Sequence, residues 1–418
     1  MTSRWHVLAL LFSVRVAMAF QFQAVGALSP LIMQEFNIGV ADLGLLIGLY
    51  LSPGIALAIP GGNLGKRFGD KPSVLFGLVL MVSGGLLMAI SPLWEMQLLG
   101  RLLAGTGGVI LNVLMSKMVT DWFDGKEIAT AMGIFVNSWP VGIALALVVL
   151  PPIAEASNLV TTLLFVVGLA MAGLIVLALF YRAPAVSGDA DPVKQQKLAG
   201  FTLAAVITAG LIWGLYNAAL GMVFNFGPAL LAERGWSVSA ASSATSIALW
   251  LVAISVPLGG VIADRSGRRN LVLVSGLLLF AAMLIVAART ESVLLIFALL
   301  GLAGGLSAGP IMSLPAAVLR VETRAVGMGI FYTMFYLATV LAPLFGGWLA
   351  GQTGGTGVTF DMGAVMLGLC CLALLLFERL AKSARSRPVA SGAVGDGLDR
   401  RPQKTHQGPS IGSRGNRA

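Results

Sequence analysis

Apolar residues gather into twelve stretches, near 6–28, 43–63, 73–91, 95–115, 128–150, 160–181, 199–222, 242–262, 271–288, 293–314, 326–349 and 359–378. Each is close to the roughly 20 residues that a helix needs to cross a bilayer. Lipid offers no hydrogen-bond partners, so each stretch must satisfy its own backbone and is predicted to be helical. The breaks between them carry turn chemistry: Pro92, Pro151-Pro152 and the Gly-rich segment from Gly351 to Gly357. The longest internal hydrophilic stretch, Arg182 to Lys197, has two prolines and mixed charges and divides the spans six and six. The expected organisation is a six-helix bundle over 1–181, a linker over 182–198, a second six-helix bundle over 199–380 and a basic tail over 381–418. That tail is rich in Gly, Ser, Pro and Arg, has almost no large apolar residues, and is expected to be disordered.

The two halves repeat each other. Gly260 to Arg269, GVIADRSGRR, has a counterpart 198 residues earlier in Gly62 to Lys71, GNLGKRFGDK. The same offset superposes Pro30 on Pro228, Glu35 on Glu233, Arg67 on Arg265 and Gly69 on Gly267, and Met132–Phe135 recurs as Met328–Phe331 at an offset of 196. This internal duplication predicts two pseudo-symmetric bundles. It also assigns the first thirty residues to a span. Arg4, the apolar run Val7 to Val14 and Ala17-Met18-Ala19 have the outline of a signal peptide, but Arg15 interrupts the run and the repeat requires a helix there.

Composition agrees with a polytopic membrane protein. Only 11% of residues are charged and 57% are hydrophobic, with a mean hydropathy of +0.90, against the roughly 25% charged of a soluble domain. The net charge of +9 is a matter of topology rather than of nucleic-acid binding. Fourteen Lys and Arg residues fall on the side of the termini before the tail begins, and only Arg234 and Arg289 lie opposite. The positive-inside rule therefore places both termini in the cytoplasm, in what is expected to be a bacterial inner membrane. His6 and His406 lie near opposite ends, and Cys370 and Cys371 are adjacent in an apolar run. No metal site, cofactor or enzymatic constellation is expected from them. The expected partners are a small-molecule substrate, the lipid bilayer and protons as coupling ion, in a monomer.

Twelve spans in duplicated halves, with a GxxxDRxGRR-like loop after the second span of each, resemble the major facilitator superfamily of secondary transporters. The resemblance covers residues 5–380, and Gly100-Arg101-Leu102-Leu103-Ala104-Gly105-Thr106-Gly107 matches the GRxLxGxG pattern of its fourth span. The fold it implies is all-α, with two six-helix bundles. The first-half loop departs from the pattern: Lys66 stands where the family has Asp, and Asp70 where it has a basic residue. The resemblance implies that the acidic residue latches against the start of span eleven, since a helix N-terminus favours negative charge. Lys66 would be unfavourable there and is expected to pair with Glu322 instead. Gating candidates are thus Lys66, Asp70, Asp264, Arg265, Arg268 and Glu322. Arg101 belongs to a motif implicated in proton coupling and reads equally well as a tie between spans. Span five carries Asn137-Ser138-Trp139-Pro140-Val141-Gly142, a partial echo of an antiporter pattern without its Gly-Pro pair.

Ionisable groups inside spans are costly and are the first functional candidates. Arg15 and Arg101 are the basic ones, and no carboxylate falls at mid-membrane. An organic cation would need a buried anion to replace its lost solvation, so the distribution favours an anionic or neutral solute. The resemblance implies that spans one, four, seven and ten line a central cavity. Arg15 and Phe22 share a helical face flanked by Gln21 and Gln23, Arg101 and Asn112 lie in line eleven residues apart, and Trp213, Asn217, Leu220 and Phe224 follow a 4, 3, 4 spacing. Span eleven adds Tyr332 and Tyr336. The candidate binding set is Arg15, Gln21, Gln23, Asn112, Trp213, Asn217, Phe224, Tyr332 and Tyr336, a cation with amides and aromatic walls suited to a small carboxylate or oxyanion. Each has a plainer reading, amides as interhelical hydrogen bonds and aromatics as packing or interfacial anchors. The expected function is transport of a small organic or inorganic anion by alternating access, with proton symport or exchange. A loose likeness to nitrate and cyanate importers points the same way. The alternative is proton-coupled export of amphipathic drugs or metabolites.

Overall fold

The computed structural model describes residues 3–58, 65, 67–123, 127–183, 198, 200–320 and 323–386. Twelve helices among them are long and apolar enough to span a membrane: Arg4–Ala27, Val40–Leu57, Asp70–Ile90, Trp94–Trp122, Thr130–Ala156, Leu159–Phe180, Gly200–Glu233, Val238–Ser266, Arg269–Ala287, Val293–Ala317, Val326–Thr353 and Gly357–Ala384. They are spans one to twelve, and the chain is an all-α integral membrane protein. Large apolar side chains point outward, Leu179, Phe180, Leu295 and Leu375 each more than 60% exposed. That is the arrangement expected where the surrounding solvent is hydrocarbon.

Several helices differ from their predicted outlines. Pro151 and Pro152, expected to mark a loop, lie inside span five, which continues to Ala156. Membrane helices tolerate proline where the freed carbonyls find other partners. Span two is broken between Leu49 and Pro53, because Pro53 supplies no donor and starts a new short helix, Pro53–Leu57. Its expected continuation to 63 lies outside the described residues. Span ten is likewise segmented into Val293–Leu306, Ala308–Met312 and a 3-10 turn at Pro315–Ala317. Most of the expected linker and the tail from residue 387 also lie outside the described residues.

Helix neighbours follow the sequence repeat. In the first half span one packs on five and six, and span three on four and six; in the second half seven packs on eleven and twelve, and nine on ten and twelve. The halves meet through spans two and eleven, five and eight, and one and seven. These pairs are what a two-fold axis in the bundle interface exchanges. Close approach is bought with glycine: a Cβ on Gly107 would run into the Gly77 carbonyl between spans four and three, and one on Gly44 would meet the Pro343 carbonyl between the halves.

Candidate substrate site

Halfway along span one, Arg15 points into the bundle and is only 8% exposed. Its Nη1 donates to the Phe135 carbonyl of span five at 3.1 Å, and its Nη2 donates to Asn112 Oδ1 of span four at 2.8 Å. The guanidinium carbon lies 4.6 Å from the Phe135 ring centroid, a cation–π geometry. Asn112 Nδ2 in turn donates to the Tyr336 hydroxyl of span eleven at 3.1 Å. A polar chain thus runs from the first half to the second at mid-membrane. Arg15 Nε is buried with no hydrogen-bond partner, and among the described residues no carboxylate pairs with Arg15. A buried charge without a counter-ion is expensive.

Aromatic rings form the wall beyond it. Phe335 lies 5.1 Å from Tyr336 and 6.2 Å from Tyr332, and Trp213 of span seven stacks near Phe335 and Phe331, at centroid distances of 6.4 and 6.5 Å. Gly54 makes room for the Tyr336 ring, which a Cβ there would strike.

Of the nine sequence candidates, Arg15, Asn112, Tyr332, Tyr336 and Trp213 lie around this centre. The others do not join it. Gln21 turns toward span three and donates to the Met81 carbonyl at 2.9 Å. Gln23 donates to the Phe224 carbonyl at 2.6 Å, so Gln21 ties span one to span three within the first half and Gln23 ties the two halves, each about two turns away from Arg15. Asn217 bonds back to the Trp213 carbonyl within its own helix. Helical spacing gave these residues a shared face with Arg15 or Trp213, but neighbouring helices engage Gln21 and Gln23 at other depths, and Asn217 bonds to its own helix. Phe135, Trp139 and Phe335 were not among the candidates. The repeated Met-Gly-Ile-Phe would have pointed to Phe135, since its twin Phe331 sits against Trp213 just as Phe135 sits against Arg15.

On the side of the membrane opposite the termini the two halves are tied together. Besides Gln23 to Phe224, Ser242 Oγ donates to the Ala27 carbonyl at 3.0 Å and the Ser239 N–H to Glu155 at 2.9 Å. Phe22 packs against Tyr50, Trp139 and Phe224, an aromatic plug between the site and that face. Arg101, 1% exposed, is saturated by the carbonyls of Leu46, Gln21 and Phe22 and lies 4.5 Å from the Tyr50 ring, fastening spans one, two and four.

On the terminal side, Asp70 accepts from Lys117 of span four at 2.5 Å, and Lys117 also reaches Asp121 at 2.8 Å. Lys71 donates to the Ala178 and Tyr181 carbonyls at the end of span six. Asp264, Arg265 and Arg268 are exposed. Lys66 and Glu322, and with them the expected latch pair, lie outside the described residues.

Twelve membrane-spanning helices in two duplicated six-helix halves have the architecture of a membrane transporter of the two-bundle type. The sequence model of the Major Facilitator Superfamily matches residues 11–231 and 202–405, and the chain belongs to that superfamily. It is 24% identical to the hexuronate transporter of Bacillus subtilis (strain 168), over 93% of this chain and 97% of the relative. It is 25% identical to the 3-(3-hydroxy-phenyl)propionate transporter of Escherichia coli (strain K12), over 92% and 96%. In fold it is similar to a bacterial homolog of the human lysosomal transporter Spinster in an inward-facing, unoccupied conformation, with a TM-score of 0.75, 17% identity and coverage of 92% and 99%.

Proposed function

We propose that this chain transports a small organic anion by alternating access, with Arg15 binding the anionic end of the substrate. The observation that carries the reading is the buried Arg15 guanidinium, whose Nε is free and whose charge meets no carboxylate among the described residues. Nε and Nη2 together form a fork suited to a carboxylate. An anion taking that fork displaces Asn112, which also holds Tyr336 of the other half. Substrate binding would then loosen the mid-membrane tie and bias the two halves toward a different packing, as coupling between ligand and conformation requires. The aromatic wall of Trp213, Tyr332 and Phe335 supports an organic rather than an inorganic anion, since it offers surface to an apolar body and few hydrogen bonds to a fully hydrated ion. That two relatives carry names of organic-acid transporters agrees with this.

Together with the positive-inside count, the ties on the face opposite the termini suit a conformer closed outward and open to the cytoplasm of a bacterial inner membrane. Coupling is read as symport of a proton or as anion exchange. The rival reading, export of amphipathic molecules, draws on the same aromatic wall.

Uptake and counterflow in proteoliposomes test the proposal, with arylpropionates, hexuronates and nitrate as solutes. Saturable uptake of an organic acid that is lost in Arg15→Ala supports it. Unaltered uptake by Arg15→Ala, or transport of an uncharged amphipath alone, overturns it.

A further inference from the structure

A polar cavity of about 460 Å³ opens at the terminal face of the second half between the start of span nine and the end of span twelve. Arg268, Arg269 and Lys382 line it together with Asn270, Leu271 and Glu378, so three cations face one carboxylate. Arg269 makes only long contacts, 3.4 Å to Asn270, 3.4 Å to Glu378 and 3.5 Å to Ser313, while Arg268 and Lys382 are exposed. Immediately below the cavity the protein surface turns apolar: Leu271 is 61% exposed, and Leu375 and Leu372, about one and two turns before Glu378, are 64% and 63% exposed. A cationic recess thus sits directly on a hydrocarbon-facing flank.

We propose that this cavity binds the headgroup phosphate of an anionic phospholipid in the leaflet on the terminal side, with the acyl chains lying along Leu271, Leu372 and Leu375. Guanidinium groups match phosphate oxygens in geometry and charge. Basic recesses at the membrane interface are suited to anionic headgroups. A lipid uses both the cations and the exposed leucines, whereas a soluble phosphate ester uses only the former.

Among the described residues the equivalent first-half positions are engaged differently, and the sequence difference between the repeated loops explains why. Asp70 occupies the place of Arg268, and it pairs with Lys117. Lys71 occupies the place of Arg269, and it spends its ammonium on two span-six carbonyls at 2.8 Å each. In the first half, Asp70 and Lys71 are thus engaged by spans four and six. In the second half Arg268 is exposed and Arg269 makes only long contacts, and Lys382 of span twelve joins them.

The test uses the full chain in neutral detergent and follows thermal unfolding during titration with dihexanoyl phosphatidylglycerol, dihexanoyl phosphatidylcholine or glycerol 3-phosphate, because a ligand of the folded state raises the midpoint. Phosphatidylglycerol is expected to raise it saturably and the other two to act at least tenfold more weakly. Arg268→Gln with Lys382→Gln should weaken phosphatidylglycerol binding about thirtyfold, and Arg320→Gln, an exposed cation elsewhere on the same face, should not change it. Glu378→Gln removes the one opposing charge and should tighten binding; a gain of affinity cannot arise from misfolding, so this variant decides the matter if the double variant does not fold. Equal responses to the two lipids, equal affinity for glycerol 3-phosphate, wild-type affinity in the double variant, or no tightening in Glu378→Gln would each overturn the proposal.

Discussion

Arg15 and Trp213 occupy equivalent positions in the two halves, 198 residues apart, and each lies against the phenylalanine of a repeated Met-Gly-Ile-Phe: Arg15 over Phe135 and Trp213 beside Phe331. The duplication thus brings one framework to the centre twice, and substitution has made one copy cationic and the other aromatic.

Replacing Arg15 separates charge from geometry. Arg15→Lys keeps the charge but loses the planar fork, and uptake of an organic anion is expected to fall about tenfold; Arg15→Ala should lower it a hundredfold or more. These values follow from the roughly 1.5–3 kcal/mol of a charged hydrogen bond. Initial rates in proteoliposomes check this, and equal rates for the Lys and Ala variants would show that the fork is irrelevant.

Trp213→Ala should act on selectivity. The KM for an arylpropionate is expected to rise about tenfold through lost ring contact, with a smaller change for a short aliphatic acid. Trp213→Phe should recover most of the difference. A uniform rise for both substrates would place Trp213 in packing alone.

Tyr336→Phe removes the hydroxyl that accepts from Asn112 across the halves. The loss, about 0.5–1.5 kcal/mol, should shift the population toward the conformer opened opposite the termini. Faster alkylation from that face of a cysteine placed at Asn225, in a background lacking Cys370 and Cys371, would report it. Gly44→Val, which drives a side chain against the Pro343 carbonyl, should push the equilibrium the same way and further.

The Asp70–Lys117 pair is half exposed on the lysine side, with side-chain exposures of 19% and 46%. Solvent screening limits its worth, so a double-mutant cycle with Asp70→Asn and Lys117→Met should give a coupling below about 1 kcal/mol. Lys71→Met should cost more than Lys117→Met, since it frees two carbonyls at the end of span six.

Apolar runs, the loop repeat and the placement of Lys and Arg were enough to read twelve spans, two related halves and the superfamily from the sequence. Those properties are local and additive: a backbone in lipid must be helical, and a duplicated gene copies its spacing. The sequence also singled out Arg15, because a charge within a span is conspicuous in one dimension. What it could not tell was which polar residues share Arg15's depth. Gln21 and Gln23 are nearer to it in the chain than any other candidate, yet they serve spans three and seven, while Asn112 and Tyr336, 97 and 321 residues away, complete its polar chain. Helix periodicity fixes the angle of a side chain about its own axis. Which neighbour fills that angle depends on how the helices tilt, break and slide against one another, and only the packed structure decides that.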